Sequence, residues 1–244
     1  MLPWLAAATF LTFITACEQD RDPRREPVSA APYQAEVDEG LGAAVAILVD
    51  TSGSMDDRIP GDARPKSVVA REALEAMLDA TDGLIARRPG FAVKVGLYSF
   101  SSTTATILPI QPYDRAVVHD ALTRLPRPGG DTAIGEAMRA ARPDLYRAGV
   151  FRKYLLVVTD GENTKGRRPD DVAREIFRKS EGGVQIYFVA FDTSADRFRF
   201  LKDVGGDVIA AGTGAELRGA LDEIYQGRIL AELEGHGERE PAAR

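Results

Sequence analysis

Residues 43–57 read "AAVAILVDTSGSMDD": seven apolar residues, a carboxylate, then three hydroxyls spaced around a glycine. A short run containing Val45, Ile47, Leu48 and Val49 fits a strand covered on both faces, and its last residue is Asp50. Asp50, Ser52 and Ser54 therefore fall together just beyond a strand tip, where the chain must turn. Gly53 is expected at the sharpest point of that turn, with Met55 tucked back as an apolar anchor.

Similar runs recur along the chain. "FAVKVGLYSF" (91–100), "YLLVVTD" (154–160), "VQIYFVAF" (184–191) and "DVIAAG" (207–212) read as further strands. The runs at 43, 154 and 184 are nearly continuous in apolar residues, as buried parallel strands are, whereas Lys94 places the run at 91 nearer an edge. "TTATILPI" (103–110) follows too closely for a crossover helix and should form an antiparallel hairpin with its predecessor. Between them lie helical patterns. In 65–83, Val69, Ala70, Ala73, Leu74, Met77 and Leu78 keep i, i+3, i+4 spacing, and Gly83 suits a C-terminal cap. Comparable stripes occupy 114–125, 133–141, 170–179 and 215–230. Strand–helix alternation of this kind predicts an α/β fold, one doubly wound and mostly parallel sheet with helices on both faces.

In such a sheet all parallel strands point their C-terminal ends at one edge, and ligands bind where the strand order reverses. Asp50 is followed there by "TSGS" and Asp160 by "GENT", while the Gly-rich stretch "PGGDTAIGEAM" delivers Thr132 to a helix start. Asp50, Ser52, Ser54, Thr132 and Asp160 are all hard oxygen donors, a set suited to Mg²⁺, Mn²⁺ or Ca²⁺ rather than zinc or copper. Two carboxylates balance one divalent cation, and neutral hydroxyls leave that cation able to attract an anionic oxygen from outside.

These residues resemble the metal-ion-dependent adhesion site of von Willebrand factor type A domains: an Asp-x-Ser-x-Ser loop ("DTSGS"), a distant Thr and a distant Asp ("VVTDG"). The resemblance extends over residues 43–230, where "VGLYSFSS" is similar to that family's second strand and "VGGDVIAAGTGAELRGALDEI" to its closing strand and helix. It implies a Rossmann-like sheet of six strands with one antiparallel edge strand. It further implies that Ser52, Ser54 and Thr132 offer hydroxyls to a metal, that Asp50 and Asp160 ligate directly or through water, and that an acidic residue of a protein partner completes the coordination. Asp131, directly before the Thr, and Asp192, at a strand end, depart from the family pattern.

Plainer readings compete at each position. Asp50, Ser52 and Ser54 could simply cap a strand-to-helix turn. Asp131 reads as the N-cap of the helix after Thr132, and Asp56 and Asp57 as charges at a helix start. "FDTSAD" (191–196) repeats Asp-Thr-Ser but lacks the second serine, so Asp192 is a rim residue, as are Asp131, Glu162 and Asn163, and this rim could touch a partner. Phe198, Phe200, Leu201 and Val204 read as core. An enzyme finds little support: aspartic proteases need β-rich folds and two motifs, and no Gly-Lys-Ser/Thr loop is present. The only histidines, His119 and His236, fall in a surface helix and a polar tail. A metal-assisted hydrolase, and a scaffold working beside an ATPase with a structural metal, stand as alternatives to a non-enzymatic, metal-dependent protein-binding module.

The chain has 244 residues and a net charge of -6, which argues against nucleic acid as a partner. Cys17 is the only cysteine and closes "MLPWLAAATFLTFITAC", whose apolar stretch is shorter than the roughly 20 residues a membrane span needs. The stretch reads as a signal peptide (1–16), and "ITAC" resembles the lipobox of bacterial lipoproteins, implying a lipidated Cys17 and a place in the bacterial cell envelope. No basic residue precedes the apolar run, so the competing reading is a short uncleaved anchor or an ordinary signal peptide with an incidental cysteine. Charged, Pro-containing residues 17–42 read as a flexible tether, 43–230 as the domain and 231–244 as a polar tail.

Overall fold

A computed structural model describes residues 40–59 and 61–231. The stretches read as a signal peptide and, before Gly40, as a tether, together with Cys17, His236 and most of the stretch read as a polar tail, lie outside the described residues. Six strands form one sheet: β1 (Gly40–Asp50), β2 (Ala92–Phe100), β3 (Thr104–Pro112), β4 (Val150–Thr159), β5 (Val184–Phe191) and β6 (Asp207–Ala211), in the order β3-β2-β1-β4-β5-β6. All neighbours pair in parallel except the β2–β3 hairpin at the edge. The order reverses between β1 and β4, whose C-terminal ends carry Asp50 and the Thr159–Asp160 step.

Every residue of β1 from Gly42 onward is buried. Ala43, Val45, Ile47 and Val49 face one core, and Ala44, Ala46 and Leu48 face the other. The first core is closed by α1 (Lys66–Arg87), α2 (Arg115–Thr123) and α5 (Gly214–Ile224), the last continued by a π-helical stretch, Tyr225–Leu230. The second is closed by α3 (Ile134–Tyr146), α4 (Pro169–Lys179) and a 3₁₀ segment, Ala195–Val204, which buries Phe198, Leu201 and Val204 with Phe200 packed alongside.

Several local expectations are corrected. Gly83 does not cap α1: Leu84 is buried beyond it, and the cap falls at Arg88, whose N–H donates to the Leu84 carbonyl (2.9 Å). The helix expected over 133–141 runs on through Pro143, because burying Leu145 and Tyr146 outweighs one missing backbone hydrogen bond. Asp131 caps nothing. The N-cap of α3 is Ala133, and the Asp131 carboxylate accepts from Ser102 Oγ (2.9 Å). Strand β4 begins four residues before the apolar run that signals it, since Arg152 and Lys153 interrupt the pattern although Lys153 is buried in the sheet.

Candidate metal centre

Three loops meet at the C-terminal edge beside the β1/β4 switch point, knit by backbone hydrogen bonds. Gly129 N–H donates to the Thr51 carbonyl (2.9 Å), Gly53 N–H to Gly130 (3.1 Å) and Thr164 N–H to Thr132 (2.8 Å). Gly130 has φ +83°, and a β-carbon there would stand 2.5 Å from Ser102 Oγ, so this crossing requires glycine. Gly53 does not: its φ is not positive, and an added β-carbon would make only ordinary contact, at 3.5 Å from Gly130 O. A 3₁₀ turn, Gly53–Asp56, starts at this glycine and fully buries Met55, the expected anchor.

Within this frame Asp50 is fully buried. Its Oδ1 accepts from the Ser52 N–H (2.8 Å) and its Oδ2 from Thr159 Oγ1 (2.5 Å). Burial pushes its pKa up from 3.8 to about 6, because those neutral donors only partly offset the lost hydration and Asp160 adds repulsion. Ser54 Oγ donates to Asp160 Oδ1 (2.7 Å), and Ser52 Oγ stands 3.3 Å from Ser54 Oγ. Thr132 is buried, with its hydroxyl beside Gly161: a β-carbon there would lie 3.9 Å from Thr132 Oγ1. The two serines and two aspartates read from sequence thus lie together, with Thr132 against the residue after Asp160.

A residue the sequence reading missed sits among them. The N–H of Lys66 donates to the Asp57 carbonyl (2.9 Å), which brings the start of α1 back to the site. Its Nζ lies 3.0 Å from Asp160 Oδ2 and 2.8 Å from Asp192 Oδ2, and the residue is only 6% exposed. Burial alone would lower the Lys66 pKa, but the hydrogen bonds to Asp192 and Asp160 outweigh it and hold the ammonium charged. Asp192 therefore meets the cluster through Lys66.

The other rim residues have partners of their own. Asn163 Oδ1 accepts from the Gly135 N–H (3.2 Å) and its Nδ2 donates to the Lys165 carbonyl (2.9 Å), so it caps α3 and shapes the loop. Glu162 pairs with Arg197 at the mouth of a cleft of about 490 Å³ between the 162–170 loop and residues 196–200. His119 is held by Glu75 (2.8 Å) and Asp79 (3.0 Å) of α1, well outside the cluster.

Among the described residues no three or more His, Cys, Asp or Glu side chains gather as a metal site by themselves, so a cation here must use hydroxyls beside its carboxylates. The donor set fits that demand. Neighbouring oxygens around an octahedral cation with bonds of about 2.1 Å are roughly 3.0 Å apart, and the spacings of 2.7 and 3.3 Å bracket that figure.

The profile of the von Willebrand factor type A domain matches residues 44–212, well over half of the chain, which therefore belongs to that family. No curated protein matches. Among solved structures, the PilB minor pilin from Streptococcus sanguinis aligns at TM-score 0.66 and 14% identity, over 82% of this chain and 64% of that one. BatB from Bacteroides thetaiotaomicron aligns at 0.58 and 21%, over 80% of this chain and all of that one. The pilus adhesin SpaC from Lactobacillus rhamnosus GG aligns at 0.59 and 14%, over 80% of this chain and 31% of that one. At these identities the likeness is one of fold.

Proposed function

We propose that the edge formed by β1, β4 and their loops binds a divalent cation, Mg²⁺ or else Mn²⁺ or Ca²⁺, and through it a protein partner. Ser52, Ser54 and Thr132 would hold the ion by their hydroxyls, with Asp50 and Asp160 ligating directly or through water. The observation carrying this reading is the Ser52–Ser54–Asp160 contact line beside a buried Asp50 whose oxygens accept from the neutral Ser52 N–H and Thr159 hydroxyl, at the switch point. When bound, the ion supplies an electrophilic position that draws a carboxylate of the partner. The chain's own residues do the rest: Thr159 and the Ser52 N–H fix Asp50, Ser54 orients Asp160, and Glu162 and Arg197 shape the rim. Membership of a family rich in interaction modules, and likeness in fold to a pilin and an adhesin, support binding rather than catalysis. No helix among the described residues is long and apolar enough to cross a membrane, and we assign attachment at the cell envelope to a lipidated Cys17.

The test is thermal unfolding with and without Mg²⁺. A cation at 100 times its dissociation constant adds about 2.7 kcal/mol, visible as a raised midpoint. If Mg²⁺, Mn²⁺ and Ca²⁺ all leave the midpoint of the wild type where chelator leaves it, the reading fails. Mass spectrometry of Cys17 decides the anchor.

A further inference from the structure

Resting on the cation site proposed above, we infer that Lys66 sets the charge of that site, and thereby its affinity and its preference between divalent and trivalent ions. The placement of Lys66 is otherwise hard to explain. It is the first residue of α1, where the helix presents its positive end, so an ammonium there opposes the macrodipole. It is also buried, which costs a charged group its hydration. Both penalties are offset by Asp160 Oδ2 at 3.0 Å and Asp192 Oδ2 at 2.8 Å.

The two carboxylates are themselves specially placed. Asp160 divides its oxygens, Oδ1 toward the Ser54 hydroxyl and Oδ2 toward the ammonium. Asp192 sits at φ +52°, a left-handed conformation that aspartate tolerates better than most residues, with its N–H fixed on the Ala211 carbonyl (2.7 Å). Asp50, Asp160 and Asp192 carry three negative charges when ionised, and Lys66 returns one. The remaining two match a single divalent ion. Without the lysine the sum becomes three, and a cation on the hydroxyl side of Asp160 no longer feels a fixed positive charge across the same carboxylate.

The experiment titrates the chelator-treated full chain with Mg²⁺ and with Tb³⁺, following the unfolding midpoint and terbium luminescence, in wild type, Lys66→Met, Lys66→Gln and Asp192→Asn. Both lysine variants should bind Mg²⁺ about tenfold more tightly and Tb³⁺ on the order of 100-fold more tightly, since repulsion grows with the charge of the incoming ion. Asp192→Asn, at a side chain one-third exposed and so well tolerated, shifts the sum the other way and should weaken both ions, Tb³⁺ more. A purely structural lysine would change both affinities in parallel or not at all. Unchanged Tb³⁺-to-Mg²⁺ preference in Asp192→Asn and in whichever lysine variants fold overturns the role of Lys66 while leaving the site intact. Absence of binding of either ion to wild type and variants alike overturns the cation site itself.

Discussion

Two clusters of buried carboxylates stand on this domain, and they are built on opposite principles. At the strand ends, Asp50 and Asp160 are 0% and 7% exposed, and of the two only Asp160 meets Lys66, which it shares with Asp192. Where α3 meets α4, Glu175 is buried too, at 6%, yet it is ringed by Arg142 (2.5 Å), Lys179 (2.9 Å) and Arg167 (3.2 Å). Asp170 and Asp171 beside it are bound by Arg168 and Arg174. Asp50, the more deeply buried, and Glu175 thus titrate in opposite directions. Burial raises Asp50 to about 6, and hydroxyl and amide donors do not bring it back. Burial also works against ionised Glu175, but hydrogen bonds from Lys179 and Arg142 overcome it and hold the carboxyl near 2. A carboxylate saturated by cations stabilises the fold; one left short of cations at the switch point is available to a ligand.

The largest effect that would break this contrast is at the helix pair. Glu175→Ala removes the carboxylate shared by Arg142, Arg167 and Lys179 and should destabilise by about 3 kcal/mol, the low end for a broken buried pair because these cations are partly solvated. Denaturant unfolding measures it, and no response to Mg²⁺ beyond that of wild type is expected. A loss under 1 kcal/mol would show the network to be ornamental.

Asp50→Asn should do the reverse. Removing a buried charge that lacks a counter-ion, while keeping an acceptor for the Ser52 N–H, should raise stability in chelator by roughly 1–3 kcal/mol. The same change should abolish the Mg²⁺-dependent shift. Stabilisation by the asparagine with Mg²⁺ response intact would remove Asp50 from the site.

Opposite pKa directions give opposite pH slopes. Asp50 holds its proton more tightly folded than unfolded, so its contribution is full below 3.8 and is lost as pH rises through about 6. That gap corresponds to roughly 3 kcal/mol. Glu175 contributes fully above 4.5 and loses its contribution as pH falls toward 2. In chelator, stability should therefore decline between pH 4 and pH 7 in wild type and much less in Asp50→Asn, by unfolding at each pH. A rise over that range in wild type would contradict the account of Asp50.

Much of the first cluster was legible in the sequence, and the reason is topological. Parallel strands align their C-terminal ends, so "VD" at 49–50 and "TD" at 159–160 had to meet once both runs read as central strands. Lys66 was not legible: periodicity marks apolar faces, and a lone lysine before a helical stripe reads as solvated until the 57–66 loop is seen folding back. The left-handed φ of Asp192 and the Thr159 hydrogen bond to Asp50 likewise depend on loop geometry that residue type does not encode. The helix-pair network was invisible for another reason. Its arginines come from α3, from α4 and from the loop before α4, and no local pattern says which of many surface-type charges will face inward.

Asn163 gives the finest test of where one region ends and the other begins. Its sequence position, three residues after Asp160, suggested a partner-binding rim, whereas its side chain accepts from Gly135 N–H at the start of α3. Gly135 is what lets the loop lie there, since a β-carbon would stand 2.1 Å from the Arg167 carbonyl oxygen. If the asparagine acts as a cap, Asn163→Ala should cost about 1 kcal/mol of stability in chelator and in Mg²⁺ alike. The Mg²⁺ midpoint in a titration should stay within twofold of wild type, because Thr132 is also held by the Thr164 hydroxyl (2.9 Å) and by backbone. A cation affinity reduced tenfold with little change in chelator would instead assign Asn163 to the strand-end cluster, and the boundary between the binding edge and its supporting helix would move inward by one loop.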